Sequence, residues 1–246
     1  MVTPQSGPSG GAPRTISFSR IVDLSHVIDT NIPLWPGDPP VEFQAVASFA
    51  TEGYYLRKFT IGEHSATHIN APNSFWEGGI GIDAYSPESF VVSAVVIDVR
   101  SKTQSDPDYA LTKKDLFDWE AAHGEVPPGS VVILYTGWQE KWSDPVAFFS
   151  QDASGGLHFP GFAGPTTRFL LDHRGIAGVG IDTHGADPGQ DESFATNTQV
   201  LEQNGIVLEC LTNLDKLPPT GTTLVLGALR LKDGSGSPLT VTAFAP

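Results

Sequence analysis

The chain is 246 residues long, 39% hydrophobic and only 17% charged, with a formal net charge of -14 and a single cysteine. That length suits one domain able to bury a core without disulfides or structural metal, and the negative charge argues against nucleic acid or an anionic membrane as partner. No stretch approaches transmembrane length, and the lone Cys210 excludes an intrachain disulfide, as expected in a reducing cytoplasmic setting.

Residues 1–13 are rich in Pro, Gly and Ser and lack an apolar run, so they read as a flexible tail and not as a signal peptide. A single domain is expected over 14–246. Apolar and β-branched runs predict strands at 20–24, 41–49, 55–61, 91–99, 131–135, 177–181, 205–211, 222–229 and 239–244. The run at 91–99 is apolar at nearly every position, as in a strand buried on both faces. Helices are fewer. Thr112 and Asp115 predict a capped helix over 113–122, ended by His123-Gly124. Pro165 opens a second, to 174, stopped by Gly175. A third covers 197–203. Strands interspersed with a few helices indicate a mixed α/β domain. The segment Asp233-Gly234-Ser235-Gly236-Ser237-Pro238 reads as a hairpin turn, since it lacks the ending of a phosphate loop. Cys210 lies in an apolar run and reads as an inert core thiol.

The chemistry concentrates in Glu63-His64-Ser65-Ala66-Thr67-His68-Ile69-Asn70-Ala71-Pro72-Asn73-Ser74-Phe75. In an extended strand, residues four apart stand ~13 Å from each other, too far for one ion. A helical turn would bring His64 and His68 onto one face, ending before Pro72, with Asn70 approaching from the exit. By spacing alone, a chance pairing of two histidines competes with a site. Glu63 either orients one of them or is solvated. Trp35, Phe75 and Trp76 either wall an apolar pocket or pack elsewhere, and His26 and His158 are further candidates to approach the site.

The segment resembles the signature His-x-Gly-Thr-His-x-Asp-x-Pro-x-His of the cyclase/metal-dependent hydrolase family, which includes kynurenine formamidase and isatin hydrolase. Further matches follow in order: Asp23-Leu24-Ser25-His26, Leu34-Trp35-Pro36-Gly37-Asp38-Pro39, Leu134-Tyr135-Thr136-Gly137-Trp138, Gly180-Ile181-Asp182-Thr183 and Gly236-Ser237-Pro238. The resemblance spans roughly 20–245. It implies a swivelling β/β/α cyclase-like domain with a mixed β-sheet core, a small-molecule substrate, and a homodimer or higher homo-oligomer. It also implies His64, His68 and Asn70 as the positions of a divalent zinc or manganese ion.

The chain departs from the pattern at three ligand positions. Asn70 replaces an aspartate and Ser74 a histidine. Asn197 stands twelve residues before Glu209, where the family usually has another histidine. An amide offers a dipole where a carboxylate offers charge, so a divalent ion should be held weakly or not at all. His184, with Asp187 just beyond, follows a predicted buried strand, where it could act as ligand or general base, or simply bond a loop carbonyl. The first functional expectation is therefore ring closure or rearrangement of a natural-product, polyketide-like intermediate with little metal dependence. In it, His64, His68, Asn70, Ser74, His184, Asn197 and Glu209 form the site. The second is a mononuclear metal-dependent hydrolase of a cyclic amide, lactone or formamide. The third is a catalytically silent small-molecule-binding protein.

Overall fold

The computed structural model describes residues 15–246, so the expected tail at 1–13 lies outside the described residues. The strands are β1 (Arg20–Asp23), β2 (Glu42–Ala47), β3 (Leu56–Thr60), β4 (His68–Asn70), β5 (Val91–Asp98), β6 (Ala110–Leu111), β7 (Ser130–Tyr135), β8 (Gly161–Phe162), β9 (Gly178–Ile181), β10 (Ile206–Glu209), β11 (Thr222–Ala228) and β12 (Gly236–Ala245). The helices are α1 (Arg100–Thr103), α2 (Lys113–His123), α3 (Pro145–Phe149), α4 (Gly164–Phe169) and α5 (Ala195–Glu202).

Eight strands form one mixed sheet in the order β1-β12-β11-β5-β7-β9-β10-β4. Because β12 also pairs with β4, the sheet closes on itself as a barrel-like core. Strands β5, β7, β9 and β10 run parallel, and the remaining pairings in this sheet are antiparallel. The apolar run of β5 explains itself here. Ala94 and Val96 join the inner cluster with Ile69, Ile133, Leu208, Leu224 and Val241. Val95 and Ile97 face the other way, against Leu116 and Trp119 of α2 and Val200 and Leu201 of α5. A parallel strand covered on both faces has no polar side to present.

Local signals are realised closely at α2. Thr112 and Asp115 form a reciprocal capping box, and Gly124 follows the helix. α4 continues through a wider turn at Leu170–Arg174 and stops at left-handed Gly175. β2 and β3 form a separate two-stranded hairpin that leaves Phe49, Tyr54, Tyr55, Leu56 and Phe59 exposed. No helix among the described residues is long and apolar enough to cross a membrane.

One local expectation is corrected. The segment around His64 is no helical turn: His68–Asn70 is strand β4, and the chain reverses just before it, with Ala66 left-handed at φ 55°. The bend does what a helix would have done, bringing the two imidazole centroids to 5.4 Å.

Candidate active site

β4 lies between β10 and β12, and this placement organises the site. His68 is the cross-strand partner of Glu209 on β10 and of Pro238 on β12, and Asn70 is the partner of Gly236. Within β4, His68 and Asn70 point to one face while Ile69 enters the inner core. Gly236 is required for the close approach: a Cβ there would stand 2.8 Å from His64 Cε1 and 2.6 Å from the Ile69 carbonyl oxygen. His184 sits three residues past β9 and Glu209 ends β10, so both occupy carboxyl ends of parallel strands, where α/β sites gather.

These residues surround a cavity of about 220 Å³ lined by His64, His68, Asn70, Ser74, His184, Asn197 and Glu209, with Trp35, Asp38, Phe75, Gly185 and Phe194 completing the wall. All seven sequence candidates thus share one space. The Ser74 hydroxyl donates to the Ala71 carbonyl at 2.6 Å, so its proton is engaged by its own turn. His26 stacks on Trp142 at 3.8 Å, and His158 is paired with Asp108 at 2.8 Å; neither lines the cavity. Trp76 is exposed and absent from the wall.

Hydrogen bonds fix the amides. Asn197 Nδ2 donates to Asp187 Oδ2 at 3.0 Å and to Glu209 Oε1 at 3.3 Å, leaving Asn197 Oδ1 to accept from Asn70 Nδ2 at 2.9 Å. Asn70 Nδ2 also donates to Glu209 Oε1 at 3.1 Å. Asn70 Oδ1 therefore faces His64 Nδ1, which must carry the proton between them. The other ring nitrogen of His64 meets the Ser235 hydroxyl at 2.9 Å, and Ser235 in turn reaches Glu63 Oε2 at 2.7 Å. Glu63 thus acts on His64 through Ser235, a residue 171 positions from His64 that no local pattern singles out.

His68 and His184 differ from His64. His68 Nδ1 bonds the Ala66 carbonyl at 2.9 Å, but Nε2, buried and 3.1 Å from Glu209 Oε2, makes no aligned hydrogen bond. His184 Nε2 is also buried and unpartnered, while its Nδ1 stands 3.7 Å from Glu209 Oε2. Burial, reinforced by the nearby His68, lowers His184 to about 3 despite Glu209, so its ring is neutral at pH 7. Burial lowers His64 as well. Burial alone would raise Glu209, yet the close approach of His68, with His184 and His64 beyond it, overcomes this and holds the carboxyl down to about 2. Burial raises Asp187 to about 6 against the N–H groups it accepts.

Two buried imidazole nitrogens without partners, beside an ionised carboxylate, are a donor set that suits a borderline divalent ion. Among the described residues, the atoms of His68, His184 and Cys210 lie within 4.8 Å of one another and could hold one. Burial pushes the Cys210 thiol well above its usual range, with Glu209 and Asp182 adding to the effect.

The family model described as "Putative cyclase" matches residues 22–188. An isatin hydrolase from Roseibium aggregatum is 31% identical over an alignment of 260 residues, covering 98% of each chain. A kynurenine formamidase from Bacillus cereus is 26% identical over 223 residues, covering 90% of this chain and 95% of that one. Among solved structures, isatin hydrolase A from Labrenzia aggregata bound to benzyl benzoate superposes with a TM-score of 0.86 at 30% identity, covering 92% of this chain and 93% of that one. A structure described as a potential metal-dependent hydrolase with cyclase activity shares the fold, with a TM-score of 0.69 at 21% identity over 92% of this chain and 98% of that one. The mixed α/β fold, the ordered motifs and these matches agree: the chain is an enzyme and belongs to the cyclase family.

Proposed function

We propose that this enzyme hydrolyses a C–N bond in a small cyclic amide or formamide with the help of one divalent metal ion. The carrying observation is the pair of unpartnered, buried nitrogens, His68 Nε2 and His184 Nε2, flanking ionised Glu209 in the cavity. The relatives support hydrolysis by their descriptions, and they lend no support to ring closure of a natural-product intermediate.

His68 and His184 would hold the ion, Glu209 would supply the negative charge, and Cys210 lies within reach as a further donor. This ligand set moves away from the expected trio of His64, His68 and Asn70. Both nitrogens of His64 are engaged, and the Asn70 carbonyl oxygen is occupied by His64. Nitrogen and sulfur donors favour zinc over manganese. A bound ion would supply a water of lowered pKa and polarise the substrate carbonyl.

The chain's own residues supply the rest. His64 lines the cavity with Nδ1 donating to Asn70 Oδ1 and Nε2 bonded to the Ser235 hydroxyl, so its ring is held in one orientation and in turn fixes Asn70. Asn70 and Asn197 hold Glu209 in one orientation, so its charge does not need to reorganise during reaction. Trp35, Phe75 and Phe194 supply the apolar wall that excludes water.

The test is dialysis against a chelator, elemental analysis, and assay with isatin and formanilide as cyclic-amide and formamide probes. Hydrolysis lost to the chelator and restored by zinc supports the proposal. Absence of hydrolysis with zinc or manganese present defeats it, and binding without turnover would then favour a silent binding protein. A reducing cytoplasmic setting and one catalytic domain from residue 14 onward complete the reading. So does a homodimer or higher homo-oligomer covering the exposed β2–β3 hairpin, since an isolated two-stranded sheet is marginal.

A further inference from the structure

Behind the catalytic cavity lies an apolar layer. Phe149, Leu157 and Phe159 pack together with Cys210, and Trp35 packs against them. Trp35 carries this layer to the cavity: its ring centroid lies 5.4 Å from that of His184 and 6.2 Å from that of Phe159. Phe149 lies 5.8 Å from His184. The layer therefore supports the His184 ring, and the segment from α3 to Phe159 supplies most of it.

That segment is fastened through His158, whose chain neighbours Leu157 and Phe159 are both in the layer. The His158 ring stands between two carboxylates: Nδ1 is 2.8 Å from Asp108 Oδ2, and Nε2 is 3.4 Å from Asp152 Oδ2. Ionised carboxylates only accept, and a neutral imidazole carries one N–H, so only the doubly protonated ring bonds both at once. Asp108 and Asp152 are the charges that face the ring, and neither has another ionic partner among the described residues. Asp108 Oδ1 is buried without a hydrogen-bond partner, so the imidazolium is the charge that offsets its desolvation. The bonds to Asp108 and then to Asp152 hold His158 above the usual imidazole range. Asp152 is itself fixed by accepting from Ser154 N at 2.7 Å and from Gly156 N at 2.9 Å. Asp108 is anchored by its own N–H, which donates to Asp106 Oδ1 at 3.1 Å. The ring thus clasps the loop after α3 to the segment leading into β6, with Asp108 fifty residues from His158 along the chain.

Resting on the hydrolase reading for its kinetic arm alone, we infer that His158 is a positioning residue. As an imidazolium it clasps the 152–158 loop to Asp108, and loss of its proton releases the layer that supports Trp35 and His184. The clasp is complete at low pH and is lost as pH rises through the raised value of His158. The enzyme then weakens its hold on substrate, although no group lining the cavity has changed its charge.

The experiment follows amide hydrogen exchange of residues 150–159 in the zinc-loaded full chain from about pH 6 to about pH 9, corrected for the intrinsic rate, beside KM for isatin. In the wild type, protection of the loop should fall by about tenfold as pH rises, and KM should rise by about fivefold or more. His158→Gln should show the unprotected loop and the raised KM at every pH. Asp152→Asn keeps a side-chain acceptor for the loop but removes one of the two negative charges, so its transition should move to lower pH. Loop protection that does not change with pH in the wild type overturns the inference, as does an unmoved transition in Asp152→Asn. A pH dependence confined to kcat, with KM and loop protection constant, overturns it too. Should His158→Gln fail to fold, the shift in Asp152→Asn still decides. A wild type that turns over no isatin overturns the hydrolase reading alone, since hydrogen exchange still decides the clasp.

Discussion

Asn70 Oδ1 lies 2.8 Å from His64 Nδ1, and the amide cannot turn around because its Nδ2 is committed to Asn197 and Glu209. An aspartate at this position would bring a second carboxylate within about 3 Å of Glu209. The asparagine instead converts a charge-dense ligand position into a hydrogen-bonded bridge from His64 to Glu209.

Asn70→Asp should therefore have opposite effects with and without metal. In metal-free protein, two buried carboxylates would face each other, costing about 3 kcal/mol of stability. With zinc, the added charge should tighten binding by at least about tenfold. Thermal midpoints measured with chelator and with zinc check both signs. Equal midpoints for wild type and variant under both conditions would exclude Asn70 as an electrostatic determinant.

Ser235 links Glu63 to His64. With His64 Nδ1 donating to Asn70, the single Ser235 proton can serve His64 Nε2 or Glu63, but not both. Ser235→Ala should leave the fold intact and lower kcat/KM by about 10–100-fold, the usual effect of losing a group that orients a site residue. Circular dichroism and steady-state kinetics test this, and wild-type kinetics in the variant would remove Ser235 from the mechanism.

Asp187 offers a pH test with a defined sign. Burial raises its folded pKa from 3.8 to about 6, so folding favours the protonated form. Its contribution is fully present below the unfolded value and is lost as pH rises through 6, amounting to about 3 kcal/mol at most. Glu209, lowered to about 2, acts oppositely, losing its contribution as pH falls below about 4.5. His184, lowered to about 3, destabilises the fold as pH drops below 6.5. The difference between wild type and Asp187→Asn isolates the first effect: denaturant-measured stability should diverge between pH 4 and 6.5, with the variant gaining relative to wild type as pH rises.

The β2–β3 hairpin carries the assembly prediction. Phe59 is 60% exposed and faces Phe43 across the ladder with ring centroids 6.4 Å apart. Light scattering should give a mass of at least a dimer, and Phe59→Glu should shift it toward the monomer. A monomeric wild-type mass would leave the hairpin without an assembly role.

Much of the architecture was legible because its causes are local. The two-faced apolar run that became β5, the Thr112–Asp115 capping box and the stop at Gly175 each depend on residues within one element and its immediate flanks. The family motif likewise marked His64, His68, Asn70, Ser74, Asn197 and Glu209, because ligand positions are kept at fixed intervals along the chain. Only the tertiary structure decided how they meet. His68–Asn70 became a strand because β10 and β12 both offered it hydrogen bonds, overriding the helical spacing of its histidines. Ser235 reached His64, and Phe194 reached Phe75, through closure of the barrel and packing of α5, contacts between segments more than a hundred residues apart. Spacing along a chain constrains neighbours within a turn or two; beyond that, only the burial of shared surfaces determines which side chains touch.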